Sequence, residues 1–204
     1  MSSNLYNVIE VSAGNNFSLV LLSNGTIQGF GRNDYGQLGD GTTTQRTSQV
    51  TVSGINNAIA ISAGTDYSMA LLSDGTIKTW GINTYGQLGN NSTTNSLIPV
   101  NVSGINNAIS ISAGSNFSIA LLNNNTVKVW GRNNYGQLGE DTTTTQRLIP
   151  NTISGLNNVI YIETGTVHTY VLLSDKTIYR FGYGSSGQLA TASTNITIPT
   201  LMPG

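Results

Sequence analysis

Short apolar stretches separated by polar turns recur along this chain, without the periodicity of a helix. Near its start, residues 8–12 form a β-branched run, and residues 17–22 form a longer apolar run that ends at Asn24-Gly25. Asn-Gly between apolar stretches is a strong signal for a β-hairpin. Residues 26–30 then alternate polar and apolar side chains, and a Thr-rich loop leads to another short stretch around residues 49–52. The pattern predicts about four short strands.

The same pattern occurs four times. The segment Tyr35-Gly36-Gln37-Leu38-Gly39 recurs at residues 85–89 and 135–139, and in altered form at residues 186–190. A glycine precedes each copy, at Gly14, Gly64, Gly114 and Gly165, so the spacings are 50, 50 and 51 residues. A period of this length is typical of a repeat array. We therefore predict a single domain with units at approximately residues 4–53, 54–103, 104–154 and 155–204.

Four units of four strands predict an all-β protein, a β-propeller of four blades. Gly204 falls where Gly54, Gly104 and Gly155 fall in their units, which favours a ring over a linear solenoid with polar caps. Two closures stay open: the four blades close alone, or two chains complete an eight-bladed ring as a homodimer. A piece of a longer propeller is a third interpretation, which the clean phase of both termini disfavours.

Several features together resemble the repeat of the RCC1 (regulator of chromosome condensation) family. They are the Ser-Ala-Gly, the apolar run at residues 17–21, the Asn-Gly turn, the aromatic-Gly pair and Tyr-Gly-Gln-Leu-Gly. The resemblance covers essentially the whole chain and implies a propeller, usually of seven blades in that family, in which the Gly and Gln-Leu positions are structural. Two departures are the four units in place of seven, and Phe17, Tyr67 and Phe117 where the family has His. Only His168 keeps the family residue.

The resemblance gives a structural role to the glycines and the Gln-Leu pairs of the repeat. The residues expected to have this role are Gly14, Gly36, Gln37, Leu38, Gly86, Gln87, Leu88, Gly136, Gln137, Leu138, Gly187, Gln188 and Leu189.

Composition narrows the classes of function. Only 8% of the residues are charged and the net charge is −1, which argues against nucleic acid as a partner because no basic patch is available. The chain has no cysteine, so disulfides, thiolate nucleophiles and Cys-based zinc sites are excluded. No signal peptide or long apolar segment is present, so we expect no membrane partner. The compartment stays open between the cytoplasm and a virion.

Candidate catalytic groups are scarce. His168 is the only histidine, at a position that Phe or Tyr fills in the other units, so a nucleophile–base pair is not indicated. Asp34 and Asp40 flank the first Tyr-Gly-Gln-Leu-Gly, but other residue types replace them in the later units. We therefore expect no enzyme, no cofactor and no metal.

Positions where the units differ are better candidates for specific binding, since positions that fold the blade are repeated. One variable loop site and one recurrent tyrosine supply the candidate partner-binding residues, which are Arg32, Ile82, Arg132 and Tyr183, with Tyr35, Tyr85 and Tyr135.

The hypothesis that follows is a non-enzymatic binding or structural module. In it, a rigid propeller presents its loops to a protein or glycan partner, for example as a decoration on a virion or cell surface. The alternative, implied by the resemblance, is a guanine-nucleotide exchange factor for a small GTPase. An inserted segment would be expected for that activity, and no unit is longer than its neighbours by more than one residue.

Overall fold

The computed structural model describes residues 6–140, 145–191 and 194–203. These residues form sixteen β-strands and no helix. The strands are β1 (Val8–Ala13), β2 (Phe17–Leu22), β3 (Ile27–Gly31), β4 (Arg46–Thr51), β5 (Ala58–Ala63), β6 (Tyr67–Leu72), β7 (Ile77–Gly81), β8 (Ser96–Asn101), β9 (Ala108–Ala113), β10 (Phe117–Leu122), β11 (Val127–Arg132), β12 (Gln146–Thr152), β13 (Val159–Thr164), β14 (His168–Leu173), β15 (Ile178–Gly182) and β16 (Ile196–Leu201).

Each repeat folds into one antiparallel sheet of four strands that neighbour each other in chain order, β1-β2-β3-β4 in the first repeat. The hairpin between the second and third strands turns through a left-handed residue, with φ of 77° at Gly25 and 61° at Asn125. The fourth sheet places Lys176 there with φ of 72°, a conformation that costs Lys more than Gly or Asn. The prediction of an all-β fold built from four four-stranded blades is confirmed.

The outermost strand of each sheet begins earlier than the sequence indicated. In the first sheet it starts at Arg46 and not near residue 49. Pro99 lies inside β8. The register between β7 and β8 shifts between Thr79 and Gly81, and an edge strand with an irregular register tolerates a residue that has no N–H to donate.

Apolar clusters lie between successive sheets and supply the core. The first cluster joins Phe17, Leu19 and Leu38 of the first blade to Ile61 and Trp80 of the second. Two equivalent clusters join the second sheet to the third and the third to the fourth. Within the part of the chain that the structure describes, none of these clusters joins the fourth sheet to the first. The four blades therefore form a row with three complete junctions.

Hydrogen bonds to the main chain reinforce the junctions. The indole N–H groups of Trp80 and Trp130 donate to the carbonyl oxygens of Gln37 and Gln87, at 2.9 and 2.8 Å. These bonds cross from one blade to the preceding one. Both tryptophans are fully buried, so the bonds satisfy donors that would otherwise be costly to bury.

The glycine that ends each Ser-Ala-Gly leaves room for an aromatic ring. A Cβ atom on Gly14 would lie 2.0 Å from the ring of Phe17, far inside van der Waals contact. Gly64 and Gly114 face Tyr67 and Phe117 at the same 2.0 Å. Any side chain at these positions would displace the ring that fills the neighbouring junction.

No helix long and apolar enough to cross a membrane occurs among the described residues.

Candidate functional site

The loops that follow the third strand of each sheet lie on one face of the molecule, which we call the loop face. The turns between the first and second strands end on the same face. The N–H groups of Arg32 and Arg132 donate to the carbonyl oxygens of Asn16 and Asn116 in those turns, at 2.8 and 2.9 Å. The loops carrying the predicted binding residues are therefore fixed to the sheets.

A buried asparagine shapes each of the first three loops. The Oδ1 atom of Asn33 accepts a hydrogen bond of 2.9 Å from the N–H of Leu38, and Asn83 and Asn133 do the same for Leu88 and Leu138. All three asparagines are buried. Sequence reasoning missed them, although the recurrence of Asn two residues before each Tyr was the signal that could have found them.

The Gln of the repeated segment tightens the same loop. In each repeat its side-chain Oε1 accepts a hydrogen bond from the N–H of the residue two positions earlier, from Tyr35 to Gln37 at 3.0 Å in the first. Leu38 is fully buried beneath the loop. The recurrent tyrosine is thus held at the start of a rigid turn, where its ring is only half-buried.

Four of the predicted binding residues form one continuous contact, which we call the arginine–tyrosine row. The guanidinium of Arg132 lies over the rings of Tyr85 and Tyr135, with Cζ 4.8 and 5.6 Å from the two ring centroids. Tyr135 in turn meets Tyr183 edge to face, with centroids 5.0 Å apart. The row crosses from the second blade to the fourth, and all its members are half-buried.

The other three candidates are placed differently. Arg32 lies over Tyr35 at 5.5 Å from the ring centroid, a separate pair in the first blade. Ile82 packs against the apolar cluster between the second and third blades, so part of its side chain belongs to the core.

The two arginines differ in their electrostatic surroundings. The guanidinium of Arg32 forms an ion pair with Asp34 at 2.7 Å and lies 3.6 Å from Asp66. The hydrogen bond that Arg32 donates to Asp34 raises the pKa of Arg32 above its ordinary value. At the equivalent positions Arg132 has Asn134 and Val167. No carboxylate pairs with Arg132 within the described ranges, and its buried Nε has no hydrogen-bond partner there.

A cavity opens at the turns between the first and second strands of the sheets. Its volume is about 510 Å³, and it is lined by residues 13–15, 63–65, 113–115 and 164–166, which come from all four blades. The lining consists of Ala, Gly, Asn, Ser and Thr, so it offers hydroxyl, amide and main-chain groups and no charge. The loop face and the cavity together form a surface that can contact another molecule.

The single histidine, His168, lies at the start of β14. The ring of His168 meets Tyr170 edge to face, with centroids 5.8 Å apart, and burial lowers its pKa below the ordinary 6.5. Among the described residues, no cluster of three or more His, Asp or Glu side chains could hold a metal ion.

Successive four-stranded antiparallel blades with a shared loop face define a repeat protein of the β-propeller class. A family model described as an RCC1-like domain matches residues 1–203, and the chain belongs to that family. The resemblance stated from the sequence is therefore confirmed. A comparison with curated protein sequences found no match.

Solved structures of this class share the fold. Human WBSCR16 is 24% identical with a TM-score of 0.86, over 97% of this chain and 53% of that one. Yeast RCC1 (Prp20) bound to Kap60 is 19% identical with a TM-score of 0.87, over 100% and 50%. Prp20p from Saccharomyces cerevisiae, described with its binding properties to Gsp1p and histones, is 19% identical with a TM-score of 0.88, over 100% and 52%. The chain spans about half the length of these proteins.

Proposed function

We propose that this chain is a non-enzymatic binding module whose arginine–tyrosine row receives a carboxylate from a protein partner. The observation that carries the proposal is the position of Arg132, stacked between Tyr85 and Tyr135 without a paired acid among the described residues. Tyr and Arg are enriched in protein interfaces and supply a large share of their binding energy. Prp20 binds a protein, Kap60, which supports a protein as the class of partner.

The chemistry of the row favours an acidic side chain. A guanidinium presents five N–H donors in a planar fork that matches a carboxylate, and the flanking rings hold it in place and limit its hydration. Arg32, by contrast, is already neutralised by Asp34. Within residues 6–140, 145–191 and 194–203, the loop face of the second to fourth blades therefore carries a cation, Arg132, that has no paired acid.

A glutamate-rich peptide with a fluorescent label tests this proposal by fluorescence anisotropy. Arg132→Gln is expected to weaken binding at least tenfold, because the charged pair is lost. The matched control is Arg147→Gln, since Arg147 is half-exposed and already pairs with Glu140 at 2.7 Å on an outer strand. Equal affinity of the wild type and Arg132→Gln, or equal losses in both variants, would contradict the proposal.

The exchange-factor alternative comes from family membership and from Prp20p, described with its binding to Gsp1p. Mixing the chain with a small GTPase that carries a fluorescent nucleotide tests it, and accelerated release would replace the binding-module proposal. A place on a virion or cell surface rests on the uncharged, Asn- and Thr-rich composition and stays a hypothesis.

A further inference from the structure

The first blade exposes residues that the other blades bury. Val11 is 70% exposed, whereas Ile61 and Ile162 in the same register are 4% and 2% exposed. Val8 is 41% exposed, and its equivalent Val159 is fully buried. At the three complete junctions these positions pack against the preceding blade. The first blade therefore presents one half of a junction that has no partner in the described chain.

The last blade exposes the complementary half. Ile178 is 37% exposed, whereas Ile27 and Ile77 in the same register are fully buried. His168 is half-buried, although Tyr67 at the equivalent position is 0% exposed. Apolar and aromatic groups of the kind that fill each junction thus reach the surface at both ends of the row of blades.

Polar groups at the two ends are complementary as well. At each complete junction a serine on the inner strand accepts a hydrogen bond from an N–H of the next blade. The pairs are Ala63 to Ser12 at 3.0 Å, Ala113 to Ser62 at 3.0 Å and Thr164 to Ser112 at 3.2 Å. In the last blade Glu163 takes the place of the serine, and in the first blade Ala13 takes the place of the donor. A carboxylate is a stronger acceptor than a hydroxyl, so this pairing is chemically sound.

A second polar contact repeats in the same way. A hydroxyl on the second strand donates to the Gln carbonyl of the preceding blade. The pairs are Ser68 to Gln37 at 2.7 Å, Ser118 to Gln87 at 2.9 Å and Thr169 to Gln137 at 3.1 Å. The remaining members are Ser18 at one end and the carbonyl of Gln188 at the other. That carbonyl accepts a bond from Tyr170 and has a second lone pair available.

The loop of the last blade also has space for a neighbouring strand. A Cβ on Gly36, Gly86 or Gly136 would lie within 2.8 Å of a Cα on the outer strand of the next blade along the chain. A Cβ on Gly187, in the last blade, would meet nothing within 4 Å. The fourth loop therefore has an empty position where each of the others has a packed neighbour.

We propose that a second copy of this chain occupies both ends and completes an eight-bladed ring. The last blade of each copy packs on the first blade of the other, which creates two identical junctions related by a two-fold axis. Such head-to-tail contacts close when the rotation per blade divides the circle, about 45° for eight blades. Continuity with the three existing junctions favours a second copy over an unrelated partner, because both the apolar and the polar groups repeat.

The ring also completes the central cavity. Residues 13–15, 63–65, 113–115 and 164–166 line it in one chain, and the second copy contributes the same four segments. The cavity is then enclosed by eight loops, and two arginine–tyrosine rows lie on the same face. Closing of four blades within one chain would give a much narrower opening and a single row.

Cysteine cross-linking distinguishes these assemblies, because the chain contains no cysteine. The hydroxyls of Thr65 and Ser115 meet across a complete junction at 2.8 Å, close enough for a disulfide between cysteines at these positions. The equivalent pair at the proposed junction is Thr166 of one copy and Asn15 of the other. The test variant is Asn15→Cys with Thr166→Cys, and the control is Thr65→Cys with Ser115→Cys.

After mild oxidation, the control is expected to remain a single chain of 21.5 kDa with an internal disulfide. The test variant is expected to run as a covalent pair of about 43 kDa on a non-reducing gel, twice the chain mass as a two-chain ring requires. A single chain with an internal disulfide would overturn the proposal in favour of a four-bladed ring. A ladder of larger species, or no disulfide while the control forms one, would also overturn it.

Light scattering coupled to size exclusion supplies a second, independent test. The wild type is expected at twice the mass of one chain, and Val11→Asp is expected to raise the dissociation constant about a hundredfold or more, because a charge enters an apolar junction. The matched control is Ile9→Asp. Ile9 is 59% exposed, and Ile59 and Ile109 remain similarly exposed at complete junctions. A single-chain mass for the wild type, or equal behaviour of the two variants, would overturn the proposal.

Discussion

Removing one hydroxyl group measures how much a blade junction gains from a buried hydrogen bond. Tyr67 is fully buried, and its hydroxyl bonds to the carbonyl of Phe117 and to the Ser118 hydroxyl, the latter at 2.9 Å. Phe occupies the equivalent position in the first and third blades, so Tyr67→Phe introduces a ring that the fold already accommodates. The change therefore removes the bonds across the junction with little disturbance of packing.

The magnitude follows from what the former partners keep. The Phe117 carbonyl still accepts a bond from the N–H of Gly114 at 2.9 Å, and the Ser118 hydroxyl still donates to the Gln87 carbonyl at 2.9 Å. Since neither partner is left unsatisfied, the loss should be about 1 kcal/mol, near the net value of one hydrogen bond. In a chain of this size that corresponds to about 2–4 °C in Tm.

Urea unfolding followed by circular dichroism measures this loss. Tyr179→Phe is a matched control, because the described residues offer its hydroxyl no hydrogen bond and its side chain is half-buried. Tyr67→Phe should lower the urea midpoint without changing the slope, and the control should leave the midpoint unchanged. A loss above about 3 kcal/mol would mean that a partner is left unsatisfied, and no loss at all would refute the role given to the hydroxyl.

Three further predictions concern single positions. Burial lowers the pKa of His168 below 6.5. The unfolded chain therefore binds the proton first, and stability falls as the pH drops below 6.5. In urea titrations from pH 7.5 to 5, His168→Phe should lessen this fall, and an unchanged pH dependence would contradict the argument. Gly36→Ala should destabilise more than Gly104→Ala in thermal unfolding. Both residues have positive φ, at 80° and 67°, which costs about 1 kcal/mol for alanine. Only Gly36 adds a steric cost, because its Cβ would lie 2.6 Å from the main chain of β8. Equal losses in the two variants would refute the steric reason. Arg180→Thr should raise Tm. Arg180 is 3% exposed, and its Nε and Nη1 have no partner in the described part of the chain, an arrangement that costs about 1–3 kcal/mol. A lower Tm would show that the guanidinium is paired.

Much of the fold could be predicted from the sequence because its signals are local. Turn residues such as Asn24-Gly25 and the alternating strands predict the hairpins, and the repeat period groups them into blades. The sequence predicts too late a start for the first outer strand. Residues such as Arg46 and Thr47 put polar side chains on both faces of that strand, as an exposed edge strand permits, so no alternation of polar and apolar residues marks its beginning.

The candidate site was predicted only as a set of positions. Variation between repeats selected Arg132 and Tyr183, and recurrence selected the other tyrosines. The stacking of Arg132 between Tyr85 and Tyr135, however, depends on how two blades meet, which residue spacing does not reveal. The buried amide of Asn33 was missed for a related reason. An asparagine in a polar loop resembles a solvent-exposed turn residue until the packing around it is known.

Several of the hydrogen bonds between blades use the main chain on one side of the pair. The Gln37 carbonyl and the Ala63 N–H are present whatever side chain stands at those positions. For these bonds a blade requires of its neighbour only a strand or loop in the right place. Duplication or loss of a whole unit in the gene would leave each new contact already compatible, so the number of blades can change during evolution without a matching set of compensating substitutions.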